Sequence, residues 1–315
     1  MSGAHEGAVV AVDHLTKTFG AVRAVDDLTF TAHPGRVTGF LGPNGAGKTT
    51  TLRILLGLVR ATSGRATVGG RPYGELRRPM RSVGAALEAA SFHPGRSALD
   101  HLRVYAPQVG VDDARCREVL DLVGLTCVAD RRVGGFSLGM RQRLGLATTL
   151  LGDPGVLILD EPANGLDPEG IAWLRALLRH LAGEGRTVLV SSHVLSEVQQ
   201  TVDDVVIIAR GTLVHQSSLA ELAALSEPSV RVVSPDAERL HELIASAGWT
   251  DRVAQNGSPG VAVLRRVSAA EIGARAFAAG LEIHELATRE VGLEDTFLRL
   301  VGERPDGGAP KGGAR

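Results

Sequence analysis

Lysine is almost absent from this 315-residue chain. It occurs only at Lys17, Lys48 and Lys311, so basicity rests on arginine. Net charge is small as well, -1 with histidines neutral, so no global positive field is available to hold a nucleic-acid backbone. Arg77 with Arg78, and Arg131 with Arg132, are expected to be solvated surface. Aromatic residues make up only 3%, which leaves Val, Leu, Ile and Ala to fill the core. The two cysteines, Cys116 and Cys127, form neither a CxxC nor a metal cluster. Both are expected to be reduced, buried and inert, as in a cytosolic protein. No apolar run reaches the ~18 residues of a membrane-spanning helix, so any passage through a bilayer must come from another polypeptide. Residues 1–10 lack a basic segment followed by an apolar one, which argues against a signal peptide.

What remains is a globular composition, 44% hydrophobic and 22% charged. Its length suggests about two domains. Short apolar runs alternate with helical patterns, which reads as α/β. Val37–Leu41 is a strand that enters a Gly-rich loop, and residues 48–58 continue as a helix. Val156–Asp160 is an apolar run ending in acid, typical of a buried parallel strand. Asp167 caps a helix with Pro168 in its first turn; Ile171, Leu174, Leu177, Leu178 and Leu181 form its apolar stripe, and Gly183 and Gly185 end it. Residues 187–191 and 205–209 are further strands.

The pattern changes near Ala223. Strands are expected at Ser229–Val233, Val261–Arg265 and 281–286, with helices at 236–247, Ala269–Ala278 and 293–301. The domain reading is therefore 1–222 for the first domain, 223–301 for a small α+β domain, and 302–315 for a Gly/Pro-rich tail expected to be disordered. No internal repeat is visible.

Three segments carry chemistry. Gly42-Pro43-Asn44-Gly45-Ala46-Gly47-Lys48-Thr49 matches G-x-x-x-x-G-K-[ST], with a strand before and a helix after. Its glycines let backbone N–H groups turn onto phosphates, and the helix N-terminus adds partial positive charge. Lys48 is expected on the β- and γ-phosphates and Thr49 on Mg²⁺, with Thr50 beside it in the ATP site. Asp160, at the end of its strand, should hold the metal, and Glu161 should polarise the attacking water. Phe136-Ser137-Leu138-Gly139-Met140-Arg141-Gln142 opens a helix that runs through Leu150. Ser137 as N-cap with Gly139 beside it makes a possible anion site, although a plain capped helix would look the same.

Taken in order, these segments resemble the ATP-binding subunits of ABC transporters. The resemblance covers about residues 9–222. It runs through Phe19, the 42–49 loop, Ser137 to Gln142, Asp160-Glu161, Asn164-Gly165-Leu166-Asp167 and Ser192-His193. It implies a P-loop cassette with a helical subdomain around residues 99–147, binding ATP and Mg²⁺. It also implies a head-to-tail homodimer, in which Ser137 and Gly139 of one copy meet the γ-phosphate held by Lys48 of the other. Phe19 corresponds to the aromatic that stacks on adenine, and His193 to the histidine that contacts the γ-phosphate. The catalytic set is then Glu161, His193 and Lys48.

Two departures stand out. The signature usually reads Leu-Ser-Gly-Gly-Gln, where this chain has Phe136-Ser137-Leu138-Gly139-Met140. Glu88 stands where most relatives have a metal-sensing glutamine that also touches the membrane partner. That glutamate, with the stretches Phe92-His93-Pro94-Gly95 and Ala98-Leu99-Asp100-His101-Leu102, resembles the antibiotic-resistance and lantibiotic-immunity exporters; the plain alternative is a solvent-facing acid. The resemblance implies an ATPase on the inner face of a bacterial membrane, powering export of a small molecule, peptide antibiotic or lipid through a separate integral-membrane subunit. The competing readings are a soluble ABC-type ATPase without a transport role and a sensor whose transport is vestigial. No nucleic-acid partner is expected.

Overall fold

Continuous apolar runs make central strands here, because a parallel strand covered on both faces has no polar side to show. Val37–Leu41 and Thr187–Ser192 are buried along their whole length, and Val156–Asp160 up to its terminal acid. In the computed structural model, which describes residues 7–87, 92–225, 229–256, 258–289 and 293–302, all three lie in a six-stranded sheet. The sheet order is Val83–Ala86, Val156–Asp160, Thr187–Ser192, Val37–Leu41, Asp204–Ala209, Thr212–Ser218. The first five strands run parallel and the last is antiparallel to its neighbour. Register decides where chemistry can occur. Leu41 pairs with Ser192 and Asp160 with Ser191, so the chain leaves all three strands at one edge of the sheet. The crevice outside the carboxyl ends of parallel strands is where such sheets take ligands.

A three-stranded antiparallel sheet, in the order Val22–Ala32, Val10–Phe19, Ser63–Val68, completes this α/β layer structure. It shares one apolar core with the Lys48–Leu55 helix, including Val10, Leu15, Phe30, Phe40, Leu52 and Ile208. Two of the few aromatics meet there, Phe30 stacking on Phe40 with ring centroids 5.0 Å apart. The helix is shorter than its pattern suggested. It stops at Leu55 rather than residue 58, because Gly57 turns left-handed at φ 69°.

The helical arm comprises Ala98–Val109, Asp113–Leu122 and Leu138–Leu150. Each helix begins on a side-chain cap. Ser97 accepts from the Asp100 N–H, Asp112 from that of Arg115, and Ser137 from that of Met140. His101 is buried in the first of these helices, its ring 4.9 Å from Phe92 and 5.2 Å from Tyr105. Burial, and secondarily Arg96, pushes its pKa down to about 4. Cys116 is buried as expected, but Cys127 is exposed: it lies in a short 3-10 turn, Thr126–Val128, none of whose residues is buried.

The chain divides into two compact units, the second spanning Ala220–Arg299. In that unit a β-α-β-β-α-β order builds a four-stranded antiparallel sheet, Val253–Asn256, Val261–Arg265, Ser229–Val233, Glu285–Arg289. The helices Ala237–Ser246 and Ala269–Ala278 close a core around Val232, Leu240, Leu264 and Ile272. The last strand is a correction to the expected 281–286. Leu281 and Ile283 have strand-like alternation, yet they pack against the core from the connection after Gly280. Pairing with Ser229–Val233 starts only at Glu285. The final helix is Leu293–Gly302, and the rest of the expected tail lies outside the described residues. Among the described residues, no helix is long and apolar enough to cross a membrane.

Candidate active site

The Gly-rich loop is built by contacts that tolerate no side chain. A Cβ on Gly42 would lie 2.4 Å from the Ile208 carbonyl oxygen. Gly47 sits at φ 101°, and its Cβ would lie 2.5 Å from the Ala24 carbonyl oxygen. Gly47 is also the N-cap of the Lys48–Leu55 helix and offers no side-chain cap. The first-turn N–H groups, those of Lys48, Thr49 and Thr50, have no partner within the helix and form an uncapped positive end. That arrangement suits an anion approached by backbone alone. Gly47→Ala should therefore break the loop. We expect a loss of about 2 kcal/mol in urea unfolding and at least tenfold weaker nucleotide binding by titration. Unchanged binding would show that the loop does not cradle the ligand.

Lys48 is 6% exposed. Its Nζ donates to the Gly42 carbonyl at 2.7 Å and lies 3.5 Å from Glu161 Oε1. The Thr49 hydroxyl donates to Asp160 Oδ2 at 2.7 Å, joining positions 111 residues apart in sequence. Asp160 also accepts from the Ser191 hydroxyl, whose oxygen in turn accepts the Glu161 N–H at 2.9 Å. Glu161 has φ 51°, a left-handed backbone uncommon outside glycine and its small polar substitutes. Its carboxylate accepts from His193 Nδ1 at 2.6 Å and from Asn164 Nδ2 at 3.1 Å. Lys48, Thr49, Asp160, Glu161 and His193 thus converge at the shared sheet edge. A cleft of about 400 Å³ opens beside them, lined by Thr49, Asp160, Glu161, Leu138 and Gln142 among others.

Other sequence-assigned residues stand apart from this cluster. Ser137 is exposed, and neither it nor Gly139 lines the cleft, although Leu138 between them does. Phe19 ends its strand 49% exposed, with Lys17 Nζ 4.6 Å from its ring centroid. Glu88 lies outside the described residues. Sequence reasoning missed Ser191, which ties Asp160 to the Glu161 backbone, and it named Asn164 only within a motif, without its bond to the Glu161 carboxylate. For Ser191, the signal available was a hydroxyl at a buried strand end directly before Ser192-His193.

The oxygens of Thr49 and Asp160 make a pair suited to a hard cation. Among the described residues, no group of three or more His, Cys, Asp or Glu side chains could hold a metal alone. The Thr49 hydroxyl and Asp160 carboxylate suit Mg²⁺, which takes one or two protein oxygens and completes its shell with phosphate and water.

Comparison with known proteins agrees with the geometry. The family described as ABC transporter matches residues 25–164, and Domain of unknown function (DUF8746) matches residues 228–294. The chain is 43% identical over 211 residues to the bacitracin transport ATP-binding protein BcrA of Bacillus licheniformis, covering 66% of this chain and 69% of that protein. It is 39% identical to the lantibiotic transport ATP-binding protein SrtF of Streptococcus pyogenes, over 65% of this chain and 89% of that protein. The BcrA of Enterococcus faecalis is 33% identical over 93% of this chain and 96% of its own length. Among solved structures, an ATP-binding subunit of an ABC transporter superposes with a TM-score of 0.62 at 26% identity, over 69% of this chain and 92% of that one.

Proposed function

The chain belongs to the ABC transporter family, as an ATP-binding subunit that hydrolyses ATP to drive transport, and from that premise we propose how its residues divide the work and what they power. Backbone N–H groups of the 42–49 loop, all but Pro43, which has none and only shapes the turn, together with that of Thr50, take the phosphates, and Lys48 takes the β- and γ-oxygens. Phe19 stacks on adenine. Thr49 and Asp160 would hold Mg²⁺, which when bound would supply positive charge against the phosphate oxygens. Glu161 polarises the attacking water, and His193 keeps that carboxylate in place beside the γ-phosphate. Water adds to the γ-phosphorus, the bond to ADP breaks, and phosphate leaves. Little covalent chemistry is asked of the protein, so positioning and fixed charge supply most of the acceleration.

The site is completed by a second copy arranged head to tail. Ser137 and Gly139, at the exposed start of the Leu138–Leu150 helix, cap the γ-phosphate bound by the other copy's Lys48. Closure on two ATPs and reopening after hydrolysis moves a separate integral-membrane subunit at the cytoplasmic face of a bacterial membrane. The cargo is a small molecule, peptide antibiotic or lipid, and the direction is outward. The bacitracin and lantibiotic transport relatives support the peptide-antibiotic class.

The observation that carries this reading is the convergence of Lys48, Thr49, Asp160, Glu161 and His193 at one sheet edge. Its test is co-expression with the membrane protein encoded beside this chain. We expect the two to co-purify, and inverted vesicles to accumulate the cargo only with hydrolysable ATP. A chain that purifies alone and leaves uptake unchanged would instead favour the soluble ATPase.

A further inference from the structure

Glu161 occupies a backbone conformation that does not hold itself. Its φ of 51° requires support from neighbours. The Ser191 hydroxyl accepts its N–H, and the Asn164 N–H donates to its carbonyl at 3.1 Å, closing a four-residue turn. The Asn164 side chain then donates to the carboxylate itself at 3.1 Å. Asn164 therefore grips Glu161 twice, once through the backbone and once through the side chain. The orientation of the carboxylate depends on where Asn164 stands.

Asn164 is itself held from outside the turn. Gln142, half-buried on the second turn of the Leu138–Leu150 helix, donates its Nε2–H to the Asn164 carbonyl at 3.1 Å. Two further contacts place that helix, one against the same stretch of chain and one against the Pro168–Gly183 helix that follows it. Leu138 lies against Gly165, where a Cβ would come within 2.1 Å of its Cδ2. The Arg143 guanidinium sits 4.3 Å from the centroid of the Trp173 ring. Gln142 is the only one of the three whose bond ends on the residue that holds the carboxylate.

We infer that Gln142 is a positioning residue for hydrolysis, acting through Asn164 to fix the Glu161 carboxylate. This rests on the reading of Glu161 as the group that polarises water. Gln142 lines the cleft that holds Thr49, Asp160 and Glu161, but among the described residues no hydrogen bond joins it to the phosphate loop or to Lys48. Its loss should therefore leave ATP binding alone and misplace only the carboxylate. A small misplacement is costly, because in-line attack by water requires a near-attack geometry.

The test is steady-state ATPase kinetics on the full chain, with thermal unfolding alongside. Gln142→Glu keeps the shape and removes the donor. We expect kcat to fall about tenfold, one hydrogen bond's worth of orientation, with KM for ATP changed less than about twofold. Gln142→Lys, which retains an N–H donor on a long side chain, should restore most of kcat. In single turnover, adding Gln142→Glu to Glu161→Gln should cause no further loss, since the carboxylate being positioned is already gone. Wild-type kcat in Gln142→Glu, or an equal loss in both backgrounds, overturns the inference. So does an effect confined to KM or melting temperature. If Gln142→Glu does not fold, Gln142→Ala against Gln142→Lys decides it by the same kcat comparison. Near wild-type turnover in Glu161→Gln alone removes the underlying reading instead, so the two failures are separable.

Discussion

Glu161→Gln should lose roughly a thousandfold in phosphate release while binding ATP as tightly as the unaltered chain. The size follows from what a positioned general base contributes, about 10² to 10⁴ in rate. The selectivity follows from geometry. Glu161 lies 3.5 Å from Lys48, accepts from His193 Nδ1, and sits in the cleft beside Thr49 and Asp160. The amide is nearly isosteric and can still accept from His193 and Asn164, so the turn from Glu161 to Asn164 should persist. What the amide cannot do is polarise water. Rapid-quench phosphate release and equilibrium ATP titration on the same preparation separate the two effects. Turnover within a few-fold of wild type would return Glu161 to a structural role.

Lys48→Ala should fail earlier, at binding. Lys48 is the lysine of the phosphate loop and is almost wholly buried, its Nζ on the Gly42 carbonyl. Removing a charged donor to phosphate costs about 3 kcal/mol, or ~100-fold in Kd for ATP. A second cost falls on the protein itself. Glu161, only 19% exposed at its side chain, loses its cation, and an acid left without one in a half-buried place is destabilising. Weaker binding by isothermal titration should therefore come with a lower melting temperature. Unchanged Kd would mean that the phosphates sit elsewhere.

The two variants differ in kind because the sheet brings unlike pieces to one edge, and only some of those pieces could be read in advance. The phosphate loop is local: glycines, lysine and threonine at fixed spacing, between an apolar strand and a helix. Asp160-Glu161 was legible as the end of a continuous apolar run. Their convergence is long-range, yet it follows once both strands are parallel and share an edge. Asn164 and Gln142 fall within quoted segments, but their bonds to each other and to Glu161 leave no such trace, and neither does the left-handed Glu161 backbone. Each depends on where a single side chain points, which no periodicity reports. The antiparallel strands Val10–Phe19 and Val22–Ala32 were obscured for a related reason. Register shifts between Val12 and Leu15, and again near Lys17, interrupt their period of two. In the second unit, Leu281 and Ile283 imitate a strand while packing a connection.

Bacitracin transport relatives match both the cassette alone and nearly the whole chain. Chain-specific tests belong at the proposed composite site, where Leu138 replaces the usual glycine and Ser137 stands exposed at a helix start. Glu161→Gln, mixed with ATP and Mg²⁺ and passed through size exclusion with light scattering, addresses that site directly. The account predicts a dimer at twice 33.0 kDa that retains ATP and reverts to monomer when Ser137→Arg is added. A monomer that holds ATP, or a dimer indifferent to Ser137→Arg, would contradict it.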